Sequence, residues 1–269
     1  MRIVVSSWAL HRTLGVTYPD SPATGPQSTE TLSDSPLALQ DLPKAIREHE
    51  FDAVELCHFH LPGVDRVQLE ELRSAFDSEG VTIQSLLIDD GDLSDPANGD
   101  RDAEWIAKWM DAAAILGAER ARVIAGKSPF SREAFERSFA HLSRLADQAS
   151  DAGVRLTIEN WYPLLDSPKP VLEMLDRMEG RIGLCADFGN WDAPRKYQDL
   201  PEILPRAETC HAKCDFLDAD TVNVEDYGKC LDLAHAAGFS GPLVLVNGGP
   251  ADEWHALELS RQAIADVWA

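Results

Sequence analysis

The stretch Ile182-Gly183-Leu184-Cys185-Ala186-Asp187-Phe188-Gly189-Asn190 decides the fold. It runs uncharged and mostly apolar through Ala186, then breaks into an acid, an aromatic, a glycine and an amide. Short uninterrupted apolar runs of this kind mark strands buried on both faces, which occur in parallel sheets covered by helices. The same grammar recurs on either side. Arg155-Leu156-Thr157-Ile158-Glu159-Asn160 also ends in an acid and an amide, and Thr209-Cys210-His211-Ala212-Lys213-Cys214 sets His211 and Lys213 on one face. Further out, comparable runs at 3–8, 52–57, 82–87, 121–126 and 243–248 bring the number of expected strands to eight.

Between them the apolar residues return at three- and four-residue steps, predicting helices that include 104–116, 132–152, 170–178, 224–237 and 254–267. Ser131, with Glu133 and Glu136 behind it, reads as an N-cap opening an acidic first turn, while Gly153 and Gly238 stand where helices stop. Eight strands alternating with helices predict an α/β fold with a single (β/α)8 TIM barrel as one domain over 1–269; a doubly wound sheet is the alternative. Residues 15–35, rich in Pro, Ser, Thr and Gly, are expected to form a mobile loop at the C-terminal mouth, either a lid or an insertion without function.

Composition narrows the function. Of 269 residues, 44% are hydrophobic, ample for a large core, and 24 Lys and Arg face 46 Asp and Glu for a formal charge of -22. Such a surface repels phosphate backbones and anionic lipid, so neither nucleic acid nor membrane is expected as a partner. The N-terminal apolar stretch is too short for a signal peptide, and the five cysteines fit a reducing cytoplasm better than a disulfide framework. Cys210 and Cys214 share the face of Ala212, opposite His211 and Lys213, which argues against a cysteine metal site.

Polar residues at strand C-terminal ends gather around one mouth of a barrel. Three successive strand ends carry Glu159, Asp187 and His211, a mixed oxygen and nitrogen set suited to Mn, Co, Zn or Mg. The competing reading is an internal ion-pair network in which Arg122 or Lys213 neutralises the acids; three such groups buried together without a cation repel one another, which favours a metal. Lys213 is placed to stabilise a developing enolate, and His58 and His60 are candidate proton carriers. Trp8, His11, Arg122, Trp161, Asn190 and Asn247 are candidate substrate contacts. Asp89, Asp90 and Asp92 are read as solvated loop and kept out of the site.

Ile158-Glu159-Asn160, Cys185 through Asn190, His211-Ala212-Lys213 and Gly91-Asp92-Leu93-Ser94 together resemble motifs of the xylose-isomerase-like barrel superfamily over essentially the whole chain. The resemblance implies a (β/α)8 barrel in which Glu, Asp and His hold a divalent metal that binds vicinal oxygens of a sugar. It also implies a second glutamate at the end of strand eight, but this chain reads Leu243-Val244-Leu245-Val246-Asn247-Gly248-Gly249 there. The missing carboxylate tells against a symmetric exchange of protons between two glutamates; the expected activity is isomerase- or epimerase-like, on a small keto-sugar or polyol-derived substrate through an enediolate, with Glu159 as base as well as ligand. Elimination by a dehydratase or lyase on the same metal site is the alternative, and a non-catalytic carbohydrate-binding or complex-subunit barrel is a second. The expected partner is a small carbohydrate, with a homo-oligomer left open.

Overall fold

In a computed structural model describing residues 1–248 and 252–268, eight parallel strands close into a barrel. In chain order these are β1 (Ile3–Ser6), β2 (Ala53–Cys57), β3 (Thr82–Ile88), β4 (Arg120–Val123), β5 (Arg155–Glu159), β6 (Gly183–Asp187), β7 (Thr209–Lys213) and β8 (Leu243–Val246). Each strand pairs with its sequence neighbours, and β1 closes the ring by pairing with both β8 and β2. Besides a single α-helical turn at His11–Leu14, the helices are α1 (Leu42–Glu48), α2 (Arg66–Glu79), α3 (Gly99–Leu116), α4 (Arg132–Ala152), α5 (Pro168–Arg177), α6 (Lys196–Ile203), α7 (Val224–Ala236) and α8 (Glu253–Trp268). Among the described residues no helix is long and apolar enough to cross a membrane.

Side-chain parity explains both layers of the core. Outward residues such as Val54, Leu56, Ala121, Leu156, Ile158, Leu184, Cys210 and Ala212 join one large apolar cluster with the helices. Each buried leucine there contributes about 1.5–3 kcal/mol. Inside the barrel, Val4, Ala53, Val244 and Val246 form a small apolar cluster of their own, while the other inward positions include Glu55, Arg122, Glu159, Asp187 and His211, all buried. The bore is thus part packed hydrocarbon and part buried charge.

Helix ends follow the expected capping chemistry. Ser131 Oγ accepts from Ala134 N at 3.1 Å, Asp65 does the same for Gln68 N at 3.1 Å, and Gly153 stops α4 with φ 73°. The strand expected over 3–8 ends at Ser6, because Ser6 Oγ accepts from Trp8 N at 3.3 Å and turns the chain into the short 3-10 segment Ser7–Leu10. Helix α3 begins at Gly99 rather than 104, its polar first turn hiding the periodicity while Asp100 and Asp102 suit the helix dipole.

The 15–35 segment contains two small antiparallel pairs, Val16–Thr17 with Glu30–Thr31 and Asp20–Ser21 with Gly25–Pro26. It is tied to the barrel by Tyr18 N, which donates to Phe59 O at 2.7 Å, and by Asp20, whose Oδ2 accepts from the indole N–H groups of Trp105 and Trp109 on α3 at 3.0 and 3.1 Å.

Candidate functional site

At the strand C-terminal ends lies a cavity of about 330 Å³ lined by Trp8, Phe59, Asp89, Arg122, Glu159, Trp161, Asp187, Asn190, His211, Lys213 and Val246, among others. A larger depression of about 550 Å³ around His49 and Trp254 shares no residue with it. The barrel-mouth cavity is the candidate site because the buried charges converge there.

Each carboxylate has one oxygen secured and one turned to His211. Glu159 Oε1 accepts from the Asn190 amide, and Oε2 stands 3.6 Å from His211 Nδ1. Asp187 Oδ1 accepts from Gly189 N at 2.5 Å, and Oδ2 stands 3.5 Å from the same nitrogen. Asn160 fixes the Asp187 strand end through both amide atoms, donating to Asp187 O at 3.1 Å and accepting from Asp187 N at 2.7 Å.

The other imidazole nitrogen is held from behind. His211 Nε2 lies 2.8 Å from Glu55 Oε2, and Glu55 Oε1 accepts from Ser85 Oγ at 2.7 Å and Gln84 Nε2 at 3.2 Å. Glu55 is 1% exposed and sits on β2, deep in the bore. A carboxylate on the remote nitrogen sets the imidazole orientation, which leaves Nδ1 for whatever occupies the cavity. Burial disfavours the imidazolium, yet the acidic groups around the ring, Cys185, Glu159 and Glu55, outweigh it and raise His211 well above the imidazole range, so a cation at Nδ1 would displace a proton there. The Cys185 thiol is pushed up by burial and stays neutral.

Arg122 realises part of the ion-pair reading. Its Nη2 binds Asp89 at 2.5 Å, its Nε lies 2.9 Å from Glu159 Oε2, and the guanidinium sits 5.4 Å from the Trp161 ring centre. Burial would raise the Glu159 carboxyl, but Arg122 and His211 prevail and hold it at about 2.

The donor set nonetheless fits a divalent cation. Glu159 Oε2 is buried without a hydrogen bond of good geometry, despite its nearby charges. The donor atoms of Glu159, Cys185 and His211 lie within 4.8 Å of one another; Asp187, expected as the third ligand, falls outside that group and meets it only through Oδ2, 3.5 Å from the same Nδ1. Two oxygens and an imidazole nitrogen suit Mn, Co, Zn or Mg, and the adjacent thiol adds a softer donor.

Of the residues expected from sequence, Glu159, Asp187, His211, Lys213, Trp8, Arg122, Trp161 and Asn190 meet on this cavity. His58, His60, His11 and Asn247 do not line it. The chain turns through a 3-10 segment at His58–His60, placing Phe59 on the cavity and the imidazoles elsewhere. His58 Nδ1 accepts from Asp89 N at 3.1 Å, and His58 lines a neighbouring cavity of about 290 Å³. His60 is bonded to Ser7 Oγ at 2.9 Å and to His11 Nδ1 at 3.0 Å. Asn247 follows the inward Val246 and so falls on the other face of the strand line. Glu253, near Asn247 in sequence, accepts from Arg12 N and Thr13 N at 3.0 and 2.7 Å instead.

Three residues were missed or misassigned. Asp89 lines the cavity and pairs with Arg122, correcting its reading as solvated loop; Asp90 instead pairs with Lys127, and Asp92 accepts from Lys127 N at 2.9 Å as a loop brace. Glu55 could have been found as the acid inside Ala53-Val54-Glu55-Leu56-Cys57, on the inward parity of Ala53. Cys185 could have been found by the same parity with Asp187.

No curated protein matches the chain. Among solved structures, similarity extends to a xylose isomerase-like TIM barrel protein from Mycobacterium smegmatis in complex with magnesium, at 18% identity and TM-score 0.68, covering 100% of this chain and 98% of that one. A D-tagatose 3-epimerase-like protein gives 19% identity and TM-score 0.71, covering 99% and 98%. The probable 3-DHS dehydratase involved in petrobactin synthesis from Bacillus anthracis gives 12% identity and TM-score 0.70, covering 100% and 99%. These likenesses carry the fold. The family model described as xylose isomerase-like TIM barrel matches residues 43–262, and with the closed barrel it shows that the chain belongs to that family.

Proposed function

We propose that the chain is a divalent-metal-dependent isomerase or epimerase of a small keto-sugar or polyol-derived substrate. The observation that carries this reading is the approach of Glu159 Oε2 and Asp187 Oδ2 to one imidazole nitrogen, with Glu55 fixing the ring from behind. Glu159, Asp187 and His211 would hold the cation, with the Cys185 thiol beside them. A divalent ion there supplies polarisation of a carbonyl and its neighbouring hydroxyl, making the α-proton removable.

The protein's own groups do the rest. Glu159 is kept ionised by Arg122 and His211, which suits it to hold a cation and makes it a weak base until substrate loosens those partners. Lys213 faces the cavity, where its ammonium stabilises negative charge developing on substrate oxygen. Trp8 and Trp161 offer aromatic walls for the apolar face of a sugar ring. Val246 stands at the strand-eight end, so a symmetric exchange between two glutamates is not available on that strand. That absence favours elimination as the second reading, in which the same proton abstraction is followed by loss of a β-hydroxyl.

Elemental analysis of the purified chain beside a folded Asp187→Ala variant tests the proposal, together with α-proton exchange of a ketose panel in D2O. About one Mn, Co, Zn or Mg per wild-type chain is expected, reduced in the variant, with metal-dependent exchange. A chain that takes up no divalent ion after reloading overturns the metal mechanism and leaves a carbohydrate-binding barrel.

A further inference from the structure

The charges around the cavity do not all find partners. Asp89 and Glu159 both face Arg122, and Asp187 faces His211. Lys213, on the same mouth, has no carboxylate within ion-pair distance among the described residues, in a chain of formal charge -22. Its direction is set by its stem: a Cβ on Gly189 would stand 2.4 Å from Lys213 Cδ, so the glycine is the seat over which the lysine lies. Arg122 backs the same cavity at 4% exposed, and its Nη1 is buried without a hydrogen-bond partner.

A half-buried ammonium without a carboxylate partner leaves its donors open to an acceptor in the cavity, and the apolar walls strengthen any charge pair formed there. We propose that the substrate is a sugar-derived carboxylate whose anionic group is held by Lys213, with Arg122 behind it. This rests on the reading of the cavity as the substrate site and deepens it, because composition alone favours a neutral sugar. One lysine with aromatic neighbours fits a monoanionic planar carboxylate better than a dianionic phosphate, which calls for several donors.

The test is calorimetric titration of the protein as purified with three probes, D-glucuronate, D-glucose and D-glucose 6-phosphate. Glucuronate and glucose differ at one carbon, so their difference reads the carboxylate. Glucuronate is expected to bind at least about tenfold more tightly than either other probe. Lys213→Gln removes that preference and Lys213→Arg retains most of it. Should the variants fail to fold, the wild type still decides: added KCl weakens glucuronate and leaves glucose unchanged. Equal affinities, no glucuronate binding, tighter binding of the phosphate, or a preference indifferent to Lys213 or to salt each overturn the proposal. Metal content of the same preparations keeps the two readings apart. A metal-loaded chain without carboxylate preference refutes only this inference, and a carboxylate-selective chain that takes no metal refutes only the isomerase reading.

Discussion

His211 owes its orientation to Glu55, a buried carboxylate on β2 behind the cavity, and this pair shows what single residues reveal in a sequence and what they conceal. Glu159 and Asp187 were legible because each ends an apolar run at the mouth, and His211 because it shares a strand face with Lys213 in the next run. Glu55 was not, because it lies inside its run, and Asp89 was not, because an acid beside other acids in a loop has the composition of solvated surface. His60 shows the converse: it looked like a proton carrier, but burial first, and then the neighbouring His11 and His58, push it down to about 3. Its folded pKa lies below its unfolded value, so the native state refuses a proton that the unfolded chain accepts from about pH 6.5 downward. The contribution is full at neutral pH and declines as pH falls, reaching a loss of about 2 kcal/mol at about pH 5. Urea unfolding at pH 7 and pH 5 is expected to show that decline in the wild type and a smaller one in His60→Gln; equal slopes in the two proteins would contradict the burial argument.

Strand parity governs what an element can deliver. Strand β7 sends His211 and Lys213 inward and Cys210 and Ala212 outward, as the alternation requires. Strand β8 obeys the same rule with Val244 and Val246 inward, so the absence of a carboxylate at its end belongs to the residue type and not to the register, in which Val246 lies beside Lys213. Val246→Glu therefore restores an inward acid next to the proposed ligands. Divalent-metal affinity, measured by competition with a chromophoric chelator, is expected to rise by about tenfold as ligand charge increases. A fall in affinity with the fold intact would mean that the glutamate pairs with Lys213 or Arg122 and that no cation centre lies within its reach. Element boundaries were less legible than element types. The tie between residues 15–35 and α3 was hidden because its anchor is an acid in the loop and the aromatics lie on the helix.

The barrel as a whole was readable because eight alternations leave few architectures, whereas the cross-bore contacts depend on side chains far apart in sequence. A formal charge of -22 spread over one compact body also has a whole-molecule consequence. Self-repulsion opposes compaction and is screened by salt, while exposed ion pairs contribute little. The melting temperature is expected to rise between about 10 mM and about 0.3 M KCl, followed by circular dichroism; a fall would place net stability in the surface pairs. The bond between Glu55 on β2 and His211 on β7 joins two strands that are not neighbours in the ring. It is a spoke across a wheel whose rim is hydrogen-bonded edge to edge. Drift in the residues that tune the chemistry therefore also alters the roundness of the barrel, and changes of activity in this chain will tend to arrive together with changes of shape.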